Sequence, residues 1–337
     1  MADLSTTYMG LTLKNPIILG ASNLVNKPEV IEQLEANGIA AIVYKSLFEE
    51  QIQLESIQLD EELHEYEERN AEMTRIFPDL EHAGPKEHLL NVKTLKKRVK
   101  IPVIGSLNAL YEPTWVDYAR ELEQAGIDAL EINLYAVPGY FETEGSKIEE
   151  LQVETVHRVK NAVKIPVSVK LSPFYTNTLN FIKKLDEAGA DGFVLFNRFF
   201  QPDINIQEEL FYFPWDLSQE KDYQLSLRYA GLLYKNTDAG ICSSRGIFNA
   251  DDIIKLLLAG TDTVQVVSAI YKNHPTWVAA TLNNINDWMT TKGYRTLADF
   301  RGKLSRKNLK DPYSYQRAQY VDLLSKPEEV FKKYPMV

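Results

Sequence analysis

The chain has 337 residues, of which 45% are hydrophobic and 25% are charged, and its formal net charge is −10. These values are ordinary for a globular protein, and the length allows one large core with insertions. The acidic balance argues against a nucleic-acid or anionic-membrane surface. No apolar run is long enough to span a bilayer, the first ten residues lack a signal-peptide pattern, and Cys242 has no second cysteine to pair with, so we expect a cytoplasmic protein.

One pattern recurs along the chain: a small residue, a glycine, a turn, and then a run of apolar β-formers. It occurs as ANGIAAIVY (36–44), QAGIDALEI (124–132), EAGADGFVL (187–195) and LAGTDTVQV (258–266). Each glycine follows a helical pattern, where glycine readily adopts the left-handed conformation that ends a helix. Each apolar run suits a strand that is buried on both faces. Every copy is therefore a helix-to-strand joint, as repeated βα units require.

The predicted elements form eight βα units in chain order. The predicted strands span residues 17–21, 41–45, 103–107, 129–133, 167–171, 192–196, 239–243 and 263–267. Predicted helices lie near residues 28–37, 115–125, 147–163, 178–188, 222–235 and 249–258. Eight such units favour a (β/α)8 TIM barrel. An open, doubly wound sheet is the alternative, but no GxGxxG follows the first strand.

Two insertions interrupt the regular alternation of strands and helices, and a C-terminal extension follows it. The first insertion follows strand 2 and includes the acidic stretch DEELHEYEE (60–68), which we interpret as a solvated helix face. The second follows strand 6, spans 201–222, and contains FYFPW (211–215), which is core filler, a lid or a subunit contact. We assign residues 1–307 to the barrel and residues 308–337 to an extension that packs on the barrel or on a neighbouring subunit.

Polar residues follow most of the predicted strands, at the end of the barrel where this fold places its chemistry. Two of them, Lys45 and Lys170, are notable because a largely enclosed ammonium group needs an anion, an electron-rich ring or a hydrogen-bond network. One of the two could simply pair with a carboxylate inside the barrel, such as Glu131. The polar residues at these strand ends are Ser22, Asn23, Lys45, Ser46, Asn108, Asn133, Lys170, Ser172, Asn197, Arg198, Ser243, Ser244, Arg245, Gly246 and Ser268.

The ends of strands 7 and 8 suggest a phosphate site. The turn in SSRGIFNADDI (243–253) contains Gly246 and leads into a helix that Asn249 would cap, while Ser268 and Ala269 follow strand 8. In many barrels these two loops hold a phosphate through backbone N–H groups. Together with the Lys and Asn donors, this favours a phosphorylated cofactor or substrate, and such donors suit the carbonyls and ring nitrogens of a flavin.

Other chemistries find less support. The chain has no Walker loop, no GxSxG elbow and no Cys/His pair for a nucleophilic hydrolase. No metal site is predicted, because the histidines lack metal-ligand spacing. A Schiff-base aldolase that uses Lys170, and a flavin-binding subunit without turnover, remain as alternatives. The five histidines are His64, His82, His88, His157 and His274.

Several segments together resemble the class 1 dihydroorotate dehydrogenases, which are FMN-dependent (β/α)8 barrels that oxidise dihydroorotate to orotate. The likeness covers about residues 7 to 307. Its most specific segment is the closing stretch MTTKGYRTLADFRGKL (289–304). The other segments are NPIILGAS (15–22), YKS (44–46), EINL (131–134) with VPG (137–139), VKLSPFY (169–175) and RGIFNADDIIKLLLAGTDTVQV (245–266).

The resemblance implies a role for most of the polar strand ends. Lys45 would contact both flavin and substrate, and would be catalytic through its positive charge. The residues implied to bind the substrate are Lys45, Asn70, Asn133 and Asn197. The residues implied to bind FMN are Ala21, Ser22, Lys45, Ser46, Asn108, Asn133 and Lys170, with Ser244, Arg245, Gly246, Ser268 and Ala269 at its phosphate.

The chain departs from the family pattern at the loop after strand 4. The family reads Asn-Leu-Ser-Cys-Pro-Asn-Val-Pro-Gly there, and its cysteine takes the substrate proton, whereas this chain reads NLYAVPGY (133–140). Tyr135 and Tyr140 are the acid–base candidates in the loop, and we take Tyr135 as the catalytic one. A phenol with a pKa near 10 is a poor base at neutral pH without a neighbouring cation, so Tyr135 could instead form a flat wall over the flavin.

The phosphate loops also depart from the family pattern, and the substrate and the partners need separate statements. Arg245 stands where the family has glycine, and Val267–Ser268 stands where the family has Gly-Thr. The missing cysteine leaves a different pyrimidine or an enoate as alternative substrates. The resemblance implies a homodimer. The electron acceptor stays open between fumarate, NAD through an iron–sulfur partner, and others.

Overall fold

The computed structural model describes residues 2–53, 85–109, 112–136, 141–326, 328 and 332–333. Asn70, Tyr140 and the acidic stretch 60–68 lie outside the described residues. The strands are β1 (Thr6–Tyr8), β2 (Leu11–Leu13), β3 (Ile17–Leu19), β4 (Ala41–Val43), β5 (Leu47–Phe48), β6 (Val103–Asn108), β7 (Ala129–Asn133), β8 (Val167–Leu171), β9 (Gly192–Leu195), β10 (Asp203–Asn205), β11 (Leu210–Tyr212), β12 (Gly240–Ser244) and β13 (Thr263–Val266). The helices are α1 (Pro28–Ala36), α2 (Pro85–Arg98), α3 (Glu112–Gln124), α4 (Gly145–Ala162), α5 (Thr178–Glu187), α6 (Gln224–Leu233), α7 (Ala250–Ala259), α8 (Ser268–Asn273), α9 (Trp277–Lys292) and α10 (Arg317–Leu324).

Within these described residues, eight parallel strands close into a barrel, which confirms the predicted (β/α)8 fold. The order around the barrel is β3, β4, β6, β7, β8, β9, β12 and β13, and β13 pairs with β3 to complete the circle. Each strand overlaps one of the eight predicted strands. The agreement follows from the glycine-ended helices and the buried apolar runs, since both signals are local to the chain.

The barrel strands separate two hydrophobic cores. The larger core lies between the strands and the surrounding helices. The smaller core fills the barrel interior and includes Ile18, Ile104, Val194 and Cys242. Side chains along each strand alternate between these cores, as the pleat of a strand requires. The positions that point inward at the upper end of the barrel are therefore the ones that can reach a ligand there.

An N-terminal hairpin that the sequence did not predict closes the lower end of the barrel. β1 and β2 pair in antiparallel fashion, and Tyr8 and Met9 join the interior core. A Cβ atom built on Gly192 or Gly240, the first residues of β9 and β12, would lie 3.0 Å or less from the Tyr8 ring. These two glycines therefore make room for the tyrosine, which leaves the opposite end of the barrel as the open one.

Adding a methyl group at Gly240 is expected to destabilise the fold. The new Cβ would lie 2.7 Å from Tyr8 Cδ2, and this ring is only 1% exposed, so it has little room to move. We expect Gly240→Ala to lower the free energy of unfolding by about 1–3 kcal/mol, as overpacked cores do. Gly145→Ala is the matched control, because a Cβ atom added there would have no neighbouring atom within 4 Å. Urea unfolding of both variants checks this, and equal stability of Gly240→Ala and wild type would contradict it.

The second insertion forms a hairpin with exposed apolar side chains. β10 and β11 lie inside residues 201–222 and pair with each other. Phe211 is 69% exposed, Phe213 is 77% exposed and Trp215 is 74% exposed. The aromatic cluster is therefore not core filler, which leaves the lid and subunit-contact interpretations.

The start of the C-terminal extension packs on the outside of the barrel. The Tyr315 hydroxyl donates to the carbonyl of Leu304 at 2.7 Å, and Arg228 of α6 donates to the carbonyls of Ser314 and Tyr315. Gly231 of α6 admits this tyrosine, because a Cβ there would lie 1.9 Å from the Tyr315 hydroxyl oxygen.

Among the helices of the described ranges, none combines the length and the apolar character that crossing a membrane requires.

Candidate active site

A cavity of about 360 Å³ opens at the C-terminal ends of the barrel strands. The parallel arrangement brings all of these ends to one side, so residues far apart in sequence meet around one opening. Of the sequence-predicted site residues, the following line the cavity: Ala21, Ser22, Lys45, Ser46, Asn133, Lys170, Asn197, Ser244, Arg245, Gly246 and Ser268.

Three predicted site residues lie beside this lining rather than in it. Asn108 ends β6 and pairs with Phe48 of β5. Ala269 is fully buried in the first turn of α8. Tyr135 stacks on Phe199, with the ring centroids 4.6 Å apart, and partial burial raises the pKa of its phenol.

A buried ion pair lies at the floor of the cavity. Lys170 Nζ is 3.6 Å from Glu131 Oε1 and donates a hydrogen bond to Gln265 Oε1 at 3.2 Å. The Nε2 group of Gln265 in turn donates to Glu131 Oε2. Glu131 is only 1% exposed, so its charge depends on these two partners. The pairing of one rim lysine with Glu131 is thus confirmed, and it fixes the Lys170 ammonium at the cavity.

Two asparagine side chains form a connected pair on the cavity wall. Asn197 Nδ2 donates to Asn133 Oδ1 at 2.8 Å, and Asn197 Oδ1 accepts from the backbone N–H of Arg198 at 2.9 Å. Both contacts orient the Asn197 amide. The Nδ2 group of Asn133 has no protein partner within the described ranges and lines the cavity, so it can donate to a ligand.

Lys45 supplies a positive charge to the cavity. It follows β4, lines the cavity, and makes no ion pair within the part of the chain that the structure describes. Burial, together with the charge of Lys45, lowers the pKa of the nearby His88 to about 4. His88 packs its ring edge-on against Tyr44 at 5.1 Å. The imidazole is therefore neutral at pH 7, and Lys45 carries the charge that a bound anion would meet.

The turn after β12 forms a tight cradle at the other end of the cavity. Arg245 has a φ angle of 75° and Gly246 has a φ angle of 61°. A Cβ atom at Gly246 would lie 2.5 Å from the carbonyl oxygen of Gln219, so the backbones of this turn and of the second insertion are in close contact. The next helix, α7, is capped as predicted, because Asn249 Oδ1 accepts from the backbone N–H of Asp252 at 3.0 Å.

The N-terminus of α8 completes this cradle. Ser268 Oγ accepts from the backbone N–H of Ser218, at 3.0 Å, which ties the second insertion to the helix. The first N–H groups of a helix lack intrahelical partners and carry partial positive charge. Such an end suits a phosphate group.

Two buried side-chain polar atoms of the cavity lining have no hydrogen-bond partner among the residues that the structure describes. They are Ser22 Oγ and Arg245 Nε, and both residues line the cavity. Buried polar atoms are nearly always hydrogen-bonded, so these two indicate a polar ligand. With ammonium and amide donors at one end and a backbone cradle at the other, the residues fit a phosphorylated flavin.

Several lining residues escaped the sequence-based assignment. Gln265 could have been found, since it is a lone polar residue in the apolar strand TVQV. Phe200 and Trp215 could not, because their stacking, at 5.1 Å between ring centroids, joins a strand end to the far side of an insertion. The further lining residues without a predicted role are Gly20, Asn23, Phe48, Phe196, Arg198, Asp216, Leu217, Ser218, Ile247, Val266, Val267 and Tyr271.

Comparison with known proteins identifies the family of the chain. Residues 80–289 match the dihydroorotate dehydrogenase family. The catalytic subunit of dihydroorotate dehydrogenase B (NAD⁺) from Thermoplasma acidophilum is 27% identical over 90% of this chain and 99% of the relative. The same subunit from Thermoplasma volcanium is 30% identical over 81% of this chain and 88% of the relative. A putative dihydroorotate dehydrogenase A (fumarate) from Aeropyrum pernix is 27% identical over 62% of this chain and 70% of the relative. The chain therefore belongs to the dihydroorotate dehydrogenase family.

Proposed function

We propose that the protein oxidises dihydroorotate to orotate, in pyrimidine biosynthesis, with FMN as its flavin. The family is flavin-dependent. The observation that carries the proposal is the single cavity that joins Lys45, Asn133 and Asn197 to the cradle around Gly246 and Ser268. When bound, FMN supplies the acceptor for the hydride that leaves the substrate.

The residues of the chain would place and stabilise the reactants. Asn133 and Asn197 hydrogen-bond the flat substrate, as their paired amides on the wall allow. The Lys45 ammonium attracts the substrate carboxylate. Lys45 and Lys170 both favour the negative charge that develops during the transfer of two electrons, and an enclosed site strengthens this effect. Asn70 would add a further amide.

The remaining site residues would contact FMN itself, at its ring system and at its phosphate. Ala21 and Ser22 would lie against the ring system, with Ser46, in the link between β4 and β5, and Asn108, at the end of β6, nearby. The unpartnered Ser22 Oγ supports this placement. The phosphate would be held at Ser244, Arg245, Gly246, Ser268 and Ala269, through backbone N–H groups and the Arg245 guanidinium.

We propose that Tyr135 acts as an aromatic wall rather than as the base. Its stacking on Phe199 and its raised pKa favour this role, because a raised pKa disfavours the phenolate that a base would require. Cys242 cannot replace the family's loop cysteine, since burial raises the pKa of its thiol to about 12. Among the described cavity-lining residues Asp216 carries the one carboxylate, so Asp216→Asn is the variant to compare with Tyr135→Phe.

Removing the Tyr135 hydroxyl is therefore expected to have little effect at pH 7. The loss in the rate of flavin reduction should fall far below the roughly 10²–10⁴-fold that a missing general base causes. Stopped-flow reduction between pH 6 and pH 10.5 checks this. A wild-type rate that rises toward pH 10 and above, and that becomes flat in Tyr135→Phe, would instead make the phenolate the base.

The test of the whole proposal is the visible spectrum of the purified protein, before and after anaerobic addition of dihydroorotate. We expect an oxidised flavin spectrum that bleaches. A flavin that stays oxidised would contradict dihydroorotate as the substrate and direct the search to another pyrimidine or an enoate. A protein that binds no flavin, even after addition of FMN, would contradict the proposal itself.

We propose NAD⁺ as the final acceptor, through a separate subunit, because the names of the two relatives with high coverage specify that acceptor. Reoxidation by fumarate alone would contradict this. We also expect a cytoplasmic homodimer, which light scattering on a sizing column would detect.

An aldolase is not favoured, since Lys170 is engaged by Glu131 and Gln265, whereas a Schiff-base lysine has to present a free amine.

A further inference from the structure

Two arginines, Arg198 and Arg245, line the same cavity. They follow β9 and β12, which are neighbouring parallel strands in a register that pairs Leu195 with Ser243. Each arginine lies a few residues beyond this pair, so the strand ends bring both side chains to one sector of the barrel mouth. The roles proposed above use Arg245 only as one of several phosphate contacts and do not use Arg198.

The cavity concentrates positive charge in an otherwise acidic protein. The net charge of the chain is −10. Within the part of the cavity lining that the structure describes, Asp216 is the only carboxylate. The cationic side chains that line it are Lys45, Lys170, Arg198 and Arg245. Of the two lysines, Lys170 is compensated by Glu131 beneath it, so the excess of positive charge belongs to Lys45 and to the arginine pair.

Arg245 is poorly compensated by the protein. Its Nε atom is buried and has no hydrogen-bond partner in the part of the chain that the structure describes, and the carboxylate Oδ2 of Asp222 lies 4.0 Å from its Nη2 atom, beyond hydrogen-bond distance. Burial lowers the pKa of Arg245, the Asp222 charge opposes that change, and the Arg198 charge adds to it. A guanidinium has five N–H donors, and those of Arg245 make no hydrogen bond to any residue that the structure describes.

The backbone conformation at position 245 favours glycine rather than arginine. The φ angle of 75° lies in the left-handed region, where glycine is favoured over any residue with a Cβ atom. An arginine at this position therefore carries a conformational penalty that glycine would not.

The Arg198 side chain rests on an aromatic ring at the cavity. Its guanidinium carbon lies 5.4 Å from the centroid of the Phe200 ring, and Phe200 stacks on Trp215 of the second insertion. The planar guanidinium keeps its edge donors when one face rests on a ring. Arg198 makes no ion pair with any residue that the structure describes.

We propose that Arg198 and Arg245 form one subsite for an oxyanion group, phosphate or carboxylate, of the molecule that occupies the cavity. Two guanidinium groups in one sector match the several oxygens of such a group, and charge-assisted hydrogen bonds of this kind are strong. The inference rests on the proposed function and deepens it. The oxyanion has two sources, the phosphate of the flavin and the carboxylate of the substrate.

The test uses Arg198→Gln and Arg245→Gly, with the exposed Arg120→Gln as the control. Arg245→Gly suits the left-handed backbone, so a loss of binding in it does not arise from misfolding. We would measure flavin release on dilution, for FMN and for exchanged riboflavin, and the binding of orotate and of uracil from changes in the flavin spectrum. Uracil has the ring of orotate without its carboxylate.

The two sources give different results. We expect a change of about 10- to 100-fold, as the loss of one charge-assisted hydrogen bond causes. Faster release of FMN with unchanged release of riboflavin identifies the flavin phosphate. Weaker binding of orotate with unchanged binding of uracil identifies the substrate carboxylate. Variants that release FMN and bind orotate as Arg120→Gln does would overturn the subsite.

The same variants separate this inference from the proposed function. If the purified protein holds no flavin and takes up none, the proposed function fails, and the flavin-free preparation is then tested with orthophosphate against chloride at equal ionic strength. An orthophosphate-dependent rise in the thermal unfolding temperature that both variants lose would support the subsite. A rise of equal size in wild type and variants would overturn it.

Discussion

Replacing Lys45 with alanine is expected to slow flavin reduction by dihydroorotate by about 10²–10³-fold, the range for removing one preorganised charge from an active site. Lys45 lines the cavity and makes no ion pair within the described residues, so its charge is directed to the ligand rather than to the protein. It also lies after the end of β4, and the strand itself keeps its buried residues. The fold should therefore survive the change. Anaerobic stopped-flow measurement of flavin reduction checks the rate.

The control for Lys45→Ala is Lys14→Ala, which removes the same charge from an exposed position. Flavin content and the thermal unfolding temperature, measured on both variants, show whether folding and cofactor loading persist. Reduction kinetics that match those of Lys14→Ala would remove Lys45 from the mechanism. Lys45→Arg would separate the need for a charge from the need for a compact ammonium group.

Removing the carboxylate of Glu131 is expected to have the largest effect on stability. Glu131→Ala leaves the Lys170 ammonium without its counter-ion and leaves Gln265 Nε2 without its acceptor. The Lys170 side chain is only 14% exposed, so water compensates little of this loss. Breaking a buried ion pair in this way lowers the free energy of unfolding by about 3–5 kcal/mol. Urea unfolding with a two-state fit measures the difference.

The double variant Glu131→Leu/Lys170→Met separates the effect of losing the ion pair from the effect of losing the volume of its side chains. It removes both charges and keeps similar side-chain volumes, so the part of the loss that comes from the unpaired ammonium should return, while buried Gln265 stays without its two partners. We expect flavin reduction to stay impaired, because the Lys170 charge at the cavity is gone. A Glu131→Ala protein that unfolds at the same urea concentration as wild type would show that water or a neighbouring group satisfies Lys170.

The barrel was predictable because its signals are local. Glycine at 38, 126, 189 and 260 adopts positive φ angles of 101°, 91°, 98° and 134° directly before the strands that the repeats predicted. The buried strands are short apolar runs, as parallel strands covered on both faces have to be. The hairpin of β1 and β2 was missed because Tyr8 becomes a core residue only where Gly192 and Gly240 meet beneath the barrel.

The groups that reach the mouth of the barrel can be predicted from the chain alone, because the strand ends and their polar residues follow from the chain order. Which of these groups contact one another depends on the packing of the fold: Lys170 pairs with Glu131, and Tyr135 stacks on Phe199. The packing also brought Arg198 beside the sector of Arg245, through the register of β9 and β12. The physical reason is that the interaction of two charges depends on their separation and burial, and both quantities arise only when distant segments pack together.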